Sequence, residues 1–329
     1  MPEDSIKWET ISFDGYAPAR LAGAGGTLNL YKGVISETSS DDGAEEVEVT
    51  LKAVAPGRAA SVISEADSTP GADIAIGFEQ MFVSAPDWDL SLDESGNGAA
   101  VMQLFGGAWN DLLYVTTAKG VPSDPVRFAG QDFSAPRLFR QLDGSYRILA
   151  CGDLDGLVSI DPAHPTAKPT WIGAWRSALS LDIGGGESAW LFQEFSDIGP
   201  LSPGGIGAAP VLLGIGPTGK VPVAGNDILG GAPIFEFAAA SSHEGVLVFA
   251  TGPGGIHATA IDVHGAETDI AVGTLAGILS SPSVALMPDG LGGFDGVLTV
   301  LHLKQDLSAE GVSFARVPFA GSASPAPAA

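Results

Sequence analysis

Aspartate residues recur at corresponding places in segments of this chain that resemble one another and end in proline. They are Asp14 in 11–18, Asp132 in 126–136 and Asp227 in 221–233. Carboxylate oxygens that converge from several loops make a site suited to Ca²⁺ or to a cationic group. An aspartate before a turn also commonly bonds its own backbone, so a structural role is the alternative.

A second group of carboxylates lies in the short loop 152–156, which contains Asp153 and Asp155. Two oxygen donors at positions i and i+2 can share a cation, although a Ca²⁺ site requires six or more ligands. The loop therefore indicates either part of a calcium site or an ordinary turn.

Two tryptophans lie beside acidic or amide side chains. Trp88 is flanked by Asp87 and Asp89, and Trp109 precedes Asn110. Such a tryptophan can stack on a sugar ring while the carboxylates bind its hydroxyl groups. Because tryptophan is mostly buried in proteins, packing in the core is the alternative for both residues.

Other catalytic patterns are missing from the sequence. The five histidines lack the spacing of a zinc site, the glycine-rich stretches lack the Lys-Ser/Thr of a phosphate-binding loop, and there is no Gly-x-Ser-x-Gly. The single cysteine, Cys151, ends an apolar stretch and is expected to be an inert buried thiol. No internal disulfide can form.

The charge of the chain restricts its partners. Its 39 acidic and 15 basic residues give a net charge of −24, which repels nucleic acids and anionic membranes. No apolar run approaches the roughly 20 residues of a membrane helix, and the N-terminus lacks the pattern of a signal peptide. We therefore expect a cytoplasmic, soluble protein that binds neither nucleic acid nor membrane.

The elements that must position these residues are short strands. Apolar runs of four to seven residues are bounded by Gly, Pro, Asp or Ser, which is typical of β-strands. After Pro136, Pro233 and Pro282 the same order follows: strand, turn, strand, loop, strand, loop, strand. Each unit is thus expected to be one four-stranded antiparallel meander.

The repeats predict the number of units. Junctions are expected near Pro18, Ala59, Ala99, Pro136, Ser177, Pro233, Pro282 and Pro325. Eight junctions give seven units of about 44 residues, within the range for propeller blades. Residues 6–13 and 312–319 are both candidates for an outermost strand, so one end of the chain should complete the sheet built by the other. The Ala/Pro-rich residues 322–329 are expected to form a disordered tail.

These repeats resemble those of β-propeller proteins over nearly the whole chain. The resemblance implies a single all-β propeller of about seven blades over residues 1–321, closed by its terminal strands. It is architectural, because the Trp-Asp, kelch and sialidase-type motifs are missing from the sequence.

The expected function is a non-enzymatic binding or assembly module that holds a protein or carbohydrate through loops on one face. The alternative is a metal-assisted hydrolase or lactonase that uses the aspartates of the junction loops, with Ca²⁺ as the candidate ion. Propellers host many functions, so the fold alone does not decide between them.

Overall fold

The structure is a computed structural model in which a defined part of the chain is described. The described residues are 6–12, 16–24, 27–39, 45–54, 74–79, 87–93, 95–106, 109–129, 132–141, 144–152, 156–173, 175–184, 187–194, 212–215, 227–229, 234–242, 244–262, 266–288, 293–306 and 308–319. These residues form β-strands and turns and contain no α-helix. The prediction of an all-β protein is confirmed. Among them, no helix has the length and apolar character needed to cross a membrane.

The chain divides into two compact units, residues 13–178 and residues 1–12 together with 179–329. The strands that begin in the first unit are β2 (Tyr16–Ala24), β3 (Thr27–Ser39), β4 (Glu45–Val54), β5 (Ile74–Glu79), β6 (Trp88–Leu92), β7 (Gly98–Gly106), β8 (Trp109–Ala118), β9 (Val121–Pro122), β10 (Val126–Phe128), β11 (Ser134–Arg140), β12 (Tyr146–Gly152), β13 (Gly156–Ile160), β14 (Thr170–Gly173) and β15 (Trp175–Gly184). The remaining strands are β1 (Glu9–Ser12), β16 (Glu187–Glu194), β17 (Leu212–Ile215), β18 (Asp227–Ile228), β19 (Glu236–Ser242), β20 (Gly245–Gly252), β21 (Gly255–Asp262), β22 (Glu267–Ile270), β23 (Ile278–Pro288), β24 (Phe294–Leu303) and β25 (Ala309–Phe319).

The described strands form six small antiparallel sheets, mostly meanders of strands that are consecutive in the chain. Their orders are β2-β3-β4-β5, β6-β7-β8-β10 with β9 added to β8, β11-β12-β13-β14, β15-β16-β17-β18, β19-β20-β21-β22 and β23-β24-β25-β1. We call the first strand of each sheet in this order its leading strand. Such sheets are the blades of a β-propeller, as the sequence predicted.

Neighbouring sheets bury both of their faces, which explains why these strands are so apolar. In β7, Ala100 and Met102 pack on one side with Trp88 of β6 and Tyr31 of β3. Its alternate residues Ala99 and Val101 belong to a separate core cluster that contains residues of β12 and β13. Side chains alternate between the two faces of a strand. A single sheet therefore contributes to two cores, which a lone meander could not do.

The second unit repeats this packing. In β20, Leu247 and Phe249 pack with residues of β24 and β25, while Val246 and Val248 pack with Ile234 on the other face. Gly296 of β24 lies so close to the neighbouring sheet that a Cβ there would be only 2.2 Å from Leu247 Cδ2. Glycine is required at this close approach because any side chain would overlap the core.

The N-terminal strand completes the sheet formed by the C-terminal strands, which confirms that prediction. β1 pairs antiparallel with β25, and Thr10 lies opposite Ser313 with 2.7 Å between their hydroxyl oxygens. Ser313 Oγ is also 2.7 Å from Nε2 of His302 on β24. The Trp8 indole N–H donates to the Val272 carbonyl at 2.6 Å. Side-chain hydrogen bonds therefore attach the first strand to the last sheet.

The proline of the sequence repeat marks a β-bulge in the leading strands. The register shifts between Ser134 and Arg137 in β11 and between Ser280 and Ser283 in β23. The residues before the two prolines, Ala135 and Ser281, have positive φ values of 48° and 50°. A bulge inserts one extra residue and bends the strand. The repeat therefore specifies a local backbone shape at the start of a sheet.

The number of sheets differs from the prediction. Six sheets lie within the described residues, whereas about seven blades were predicted, and the total for the whole chain stays a prediction. The junction predicted at Ala99 is wrong, because Ala99 lies inside β7 and is fully buried. The first sheet, β2–β5, spans residues 16–79, which is longer than the uniform repeat of about 44 residues that the prediction assumed. The predicted junctions at Ala59 and Pro325 and the tail 322–329 lie outside the described residues.

Candidate functional site

Two of the predicted ligand-binding aspartates form a cluster with two arginines that the sequence analysis did not select. Asp87 and Asp89 lie at the start of β6, Arg20 lies on β2 and Arg137 lies on β11. These are the leading strands of three consecutive sheets, and all four residues belong to the unit 13–178. We call Arg20, Asp87, Asp89 and Arg137 the Arg–Asp cluster.

The position of the cluster follows from strand geometry. Trp88 points into the core between two sheets, so its neighbours Asp87 and Asp89 point to the opposite side of the strand. β6 contacts both β2 and β11, which brings one arginine from each neighbouring sheet to the carboxylates. Residues separated by 117 positions in the chain therefore meet at one place.

The two aspartates are held differently. Asp89 Oδ2 accepts a hydrogen bond from the backbone N–H of Leu138 at 2.8 Å, and its Oδ1 lies 3.6 Å from Arg20 Nε. Asp87 Oδ1 lies 3.8 Å from Arg20 Nη2 and 3.7 Å from Arg137 Nη1. At these distances the charges attract, but the groups are too far apart for a direct hydrogen bond.

Exposure also distinguishes the members of the cluster. The side chain of Asp87 is 31% exposed, against 16% for Asp89 and Arg137 and 10% for Arg20. Asp87 is thus the member most accessible to a bound molecule. Both arginines also donate hydrogen bonds to backbone carbonyls. Arg137 Nη1 donates to the Pro136 carbonyl at 2.8 Å, and Arg20 Nη1 donates to the Ala19 carbonyl at 3.4 Å.

The two tryptophans do not join this cluster as stacking surfaces. Trp88 has 0% exposure and packs with Leu90, Met102 and Leu113, so the core-packing alternative describes its position. Trp109 is the first residue of β8, opposite Gly106, and its side chain lies outside what the structure describes. A ligand at the cluster would therefore contact charged groups, with no ring from Trp88.

The predicted calcium ligands that the structure describes are associated with different sheets. Asp132 is half-buried in the connection between β10 and β11, whereas Asp227 begins β18, the last strand of its sheet, opposite Leu213. Asp14, Asp153 and Asp155 lie outside the described residues. Within the part of the chain that is described, no three His, Cys, Asp or Glu residues are placed to hold a metal ion. Ca²⁺ binding stays a prediction.

A second polar group lies between leading strands of the other unit. Glu236 at the start of β19 accepts hydrogen bonds from the hydroxyl of Ser280, with oxygen distances of 3.1 and 3.2 Å, and from the backbone N–H of Ser281. Both serines are about 95% buried at the bulge of β23. We call Glu236, Ser280 and Ser281 the Glu–Ser group. It contains one carboxylate and no basic residue.

The sequence contained a signal for the missed arginines. Arg20 and Arg137 follow the repeated prolines Pro18 and Pro136 by two residues and one residue, respectively. Basic residues are scarce in this chain, so the recurrence of an arginine just after the junction proline indicates a specific role for it. Strand pairing alone could not show that they meet the aspartates of a third repeat.

Comparison with known proteins identifies a fold and no family. No protein-family model matches the chain, and no curated protein is similar to it in sequence. A protein of unknown function from Dyadobacter fermentans superimposes with a TM-score of 0.50 at 10% identity, covering 94% of this chain and 99% of that one.

Two further solved structures are similar at lower scores. The Dos1 propeller has a TM-score of 0.48 at 9% identity, covering 95% of this chain and 96% of that one. BBS1N, solved in complex with ARL6DN, has a TM-score of 0.45 at 7% identity, covering 94% and 96% of the two chains. Likeness at such low identity concerns the fold alone. The chain is an all-β protein whose small antiparallel sheets have the arrangement of β-propeller blades.

Proposed function

We propose that this chain is a non-enzymatic binding module that recognises a hydroxyl-rich ligand, of the carbohydrate class, at the Arg–Asp cluster. The observation that carries the proposal is the position of Asp87 Oδ1 between two guanidinium groups, at 3.7 and 3.8 Å. A β-propeller suits a binding or scaffold role, and the ligand class is argued from the cluster.

A mixed-sign cluster fits hydroxyl groups better than it fits a simple ion. Each hydroxyl group donates one hydrogen bond and accepts up to two. A ligand hydroxyl beside Asp87 can donate to the carboxylate and accept from Arg20 or Arg137. An anion would be repelled by Asp87 and Asp89, and a cation by the two arginines. The two positive and two negative charges of the cluster leave it with a net charge close to zero. Such a cluster favours a neutral, polar ligand.

The Arg–Asp cluster also has the accessibility that binding requires. Asp87 is nearly one-third exposed, and the charges lie on strands of a rigid scaffold. Rigid strands hold polar groups in place before a ligand arrives, which lowers the entropy cost of binding. Asp89 is partly committed to the backbone of Leu138. Asp87 is thus the residue whose acceptor oxygens are most available.

A glycan array with the labelled full chain tests the proposal, in parallel with a screen for glycoside, ester and lactone hydrolysis. We expect retention on a restricted set of glycans without turnover. The control is Asp124→Asn, which removes a carboxylate from an exposed position outside the cluster. It should keep the same glycan profile, whereas Asp87→Asn should lose it.

Three results would refute the proposal. Turnover of a bound glycan would make the chain an enzyme. Binding of a protein partner, with no glycan retained, would show that the ligand is a protein and not a carbohydrate. Equal glycan retention by Asp87→Asn and the wild type would remove the cluster from recognition.

A further inference from the structure

A cavity of about 290 Å³ lies in the second unit, and none of its described lining residues belongs to the Arg–Asp cluster. It is lined by residues of β21, the end of β22, the segment after β22 and Leu229. The lining residues are Leu229, Ile256, His257, Ala258, Asp269, Ile270, Ala271, Val272 and Gly273. The volume is at the lower end of the range for small-molecule sites.

The strand register places the polar lining residues on one face. Asp269 pairs with Thr259 across β21 and β22, and His257 precedes Thr259 by two residues. Side chains two residues apart share a face of a strand, so His257 and Asp269 project from the same side. Ile256 and Ala258, which also line the cavity, are buried in the core shared with β24. Among the described lining residues, His257 and Asp269 are the ones with polar side chains.

A second carboxylate lies beside the cavity. Glu267 is two residues before Asp269 and shares its face. Burial raises the pKa of the Glu267 carboxyl, and the negative charge of Asp269 adds to the rise, while a backbone hydrogen bond with Leu229 opposes it. Two carboxylates thus create a negative potential here, and the described lining residues include no Lys or Arg to neutralise it.

The wall formed by Leu229 has an unusual backbone. Leu229 is 8% exposed and has a φ of +58°, a conformation that is a true outlier for a bulky residue. Residues held in such conformations concentrate at ligand sites, where the surrounding structure supports the strain. Leu229 is also one of the residues that line the cavity.

We propose that this cavity binds the primary ammonium group of a small amine, with Asp269 as its counter-ion and His257 as a hydrogen-bond acceptor. An ammonium group carries three donors and one positive charge. It would pair its charge with the Asp269 carboxylate and donate a hydrogen bond to the His257 imidazole. Among the described residues, no three His, Cys, Asp or Glu side chains are placed to hold a metal ion, so we take an organic cation as the ligand.

The test is a nuclear magnetic resonance titration of the full chain with n-butylammonium, followed at the backbone amides of Leu229, His257 and Gly273. We expect saturable shifts at these amides and none with n-butanol, which has the same shape and no charge. Asp269→Asn should weaken binding about tenfold or more, because a charge-assisted hydrogen bond is lost. Asp124→Asn removes the same charge far along the chain and should bind as the wild type does.

A second titrant, Nα-acetyl-lysine methylamide, distinguishes a small free amine from a lysine side chain as the source of the ammonium group. Equal binding of both titrants assigns the cavity to any primary amine, and binding of the lysine derivative alone assigns it to lysine side chains of a peptide. The inference is overturned if neither titrant gives saturable shifts, if n-butanol binds equally, or if Asp269→Asn leaves the affinity unchanged. None of these outcomes depends on whether the Arg–Asp cluster binds glycans.

Discussion

The Arg–Asp cluster and the Glu–Ser group use the same bond between sheets in two different settings. In each, a carboxylate on one leading strand accepts a backbone N–H from the next leading strand, Asp89 from Leu138 and Glu236 from Ser281. In the Glu–Ser group the carboxylate is satisfied by that N–H and a buried hydroxyl. In the Arg–Asp cluster, Asp87 and two arginines are added, and Asp87 makes no close bond to either arginine.

This difference distinguishes the contacts that the fold requires from charged groups that are additional to them. In each region, one carboxylate pairs a backbone N–H of the next leading strand. Asp87 is 31% exposed and its contacts to the arginines are long, so we expect it to contribute less to stability than Glu236 does. The recognition role proposed for the Arg–Asp cluster would account for these additional charges.

Replacement of Trp88 should have the largest effect. Trp88→Ala removes a fully buried aromatic side chain between two sheets and should lower the free energy of unfolding by about 3–5 kcal/mol. Denaturant unfolding followed by circular dichroism measures the change. A loss below about 1 kcal/mol would mean that Trp88 is not in the core, and would reopen a stacking role for it.

Glu236→Ala should have the next largest effect on stability. It leaves the N–H of Ser281 and the hydroxyl of Ser280 without their acceptor in a buried site, which costs about 1–3 kcal/mol. The matched substitution in the other region, Asp87→Ala, should change stability by less than about 0.5 kcal/mol. If the two variants lose equal stability in denaturant unfolding, the comparison between the two regions fails.

The bond network at the terminal strand predicts a pH effect. Burial lowers the pKa of His302, which bonds Ser313, while a backbone hydrogen bond with Ala276 and the charge of Glu310 oppose the shift. The unfolded chain therefore binds a proton at higher pH than the folded chain does. The contribution of His302 to the free energy of unfolding is fully present above about pH 6.5. It is lost as the pH falls toward the lower pKa that His302 has in the folded state.

His302→Gln isolates this effect. Melting temperatures of both proteins between pH 5 and pH 8 should differ in slope, with the variant less sensitive to acid. Identical slopes would show that His302 does not couple protonation to the attachment of β1.

The sequence predicted the fold better than the site. The repeated prolines located leading strands, and at Pro136 and Pro282 the proline marks a bulge. The terminal strand pairing followed from matching patterns at the two ends of the chain. The junction at Ala99 failed because a uniform repeat length was imposed although the preceding sheet, β2–β5, spans residues 16–79.

The site could be only half predicted. Asp87 and Asp89 were selected for their position around a tryptophan, but the tryptophan belongs to the core. Arg20 and Arg137 reach the aspartates through contacts between three sheets, and no spacing along the chain encodes such contacts. The Glu–Ser group was missed for the same reason, since Glu236 and Ser281 are 45 residues apart.

The central claim is that Asp87 serves binding and not folding. Calorimetric titration of the wild type, Asp87→Asn and Asp124→Asn with a glycan retained on the array tests it directly, with unfolding curves of the same samples. We predict that Asp87→Asn weakens the affinity at least about tenfold while its unfolding curve overlays that of the wild type. Unchanged affinity in Asp87→Asn, or a loss of affinity that accompanies a loss of stability, would contradict the account.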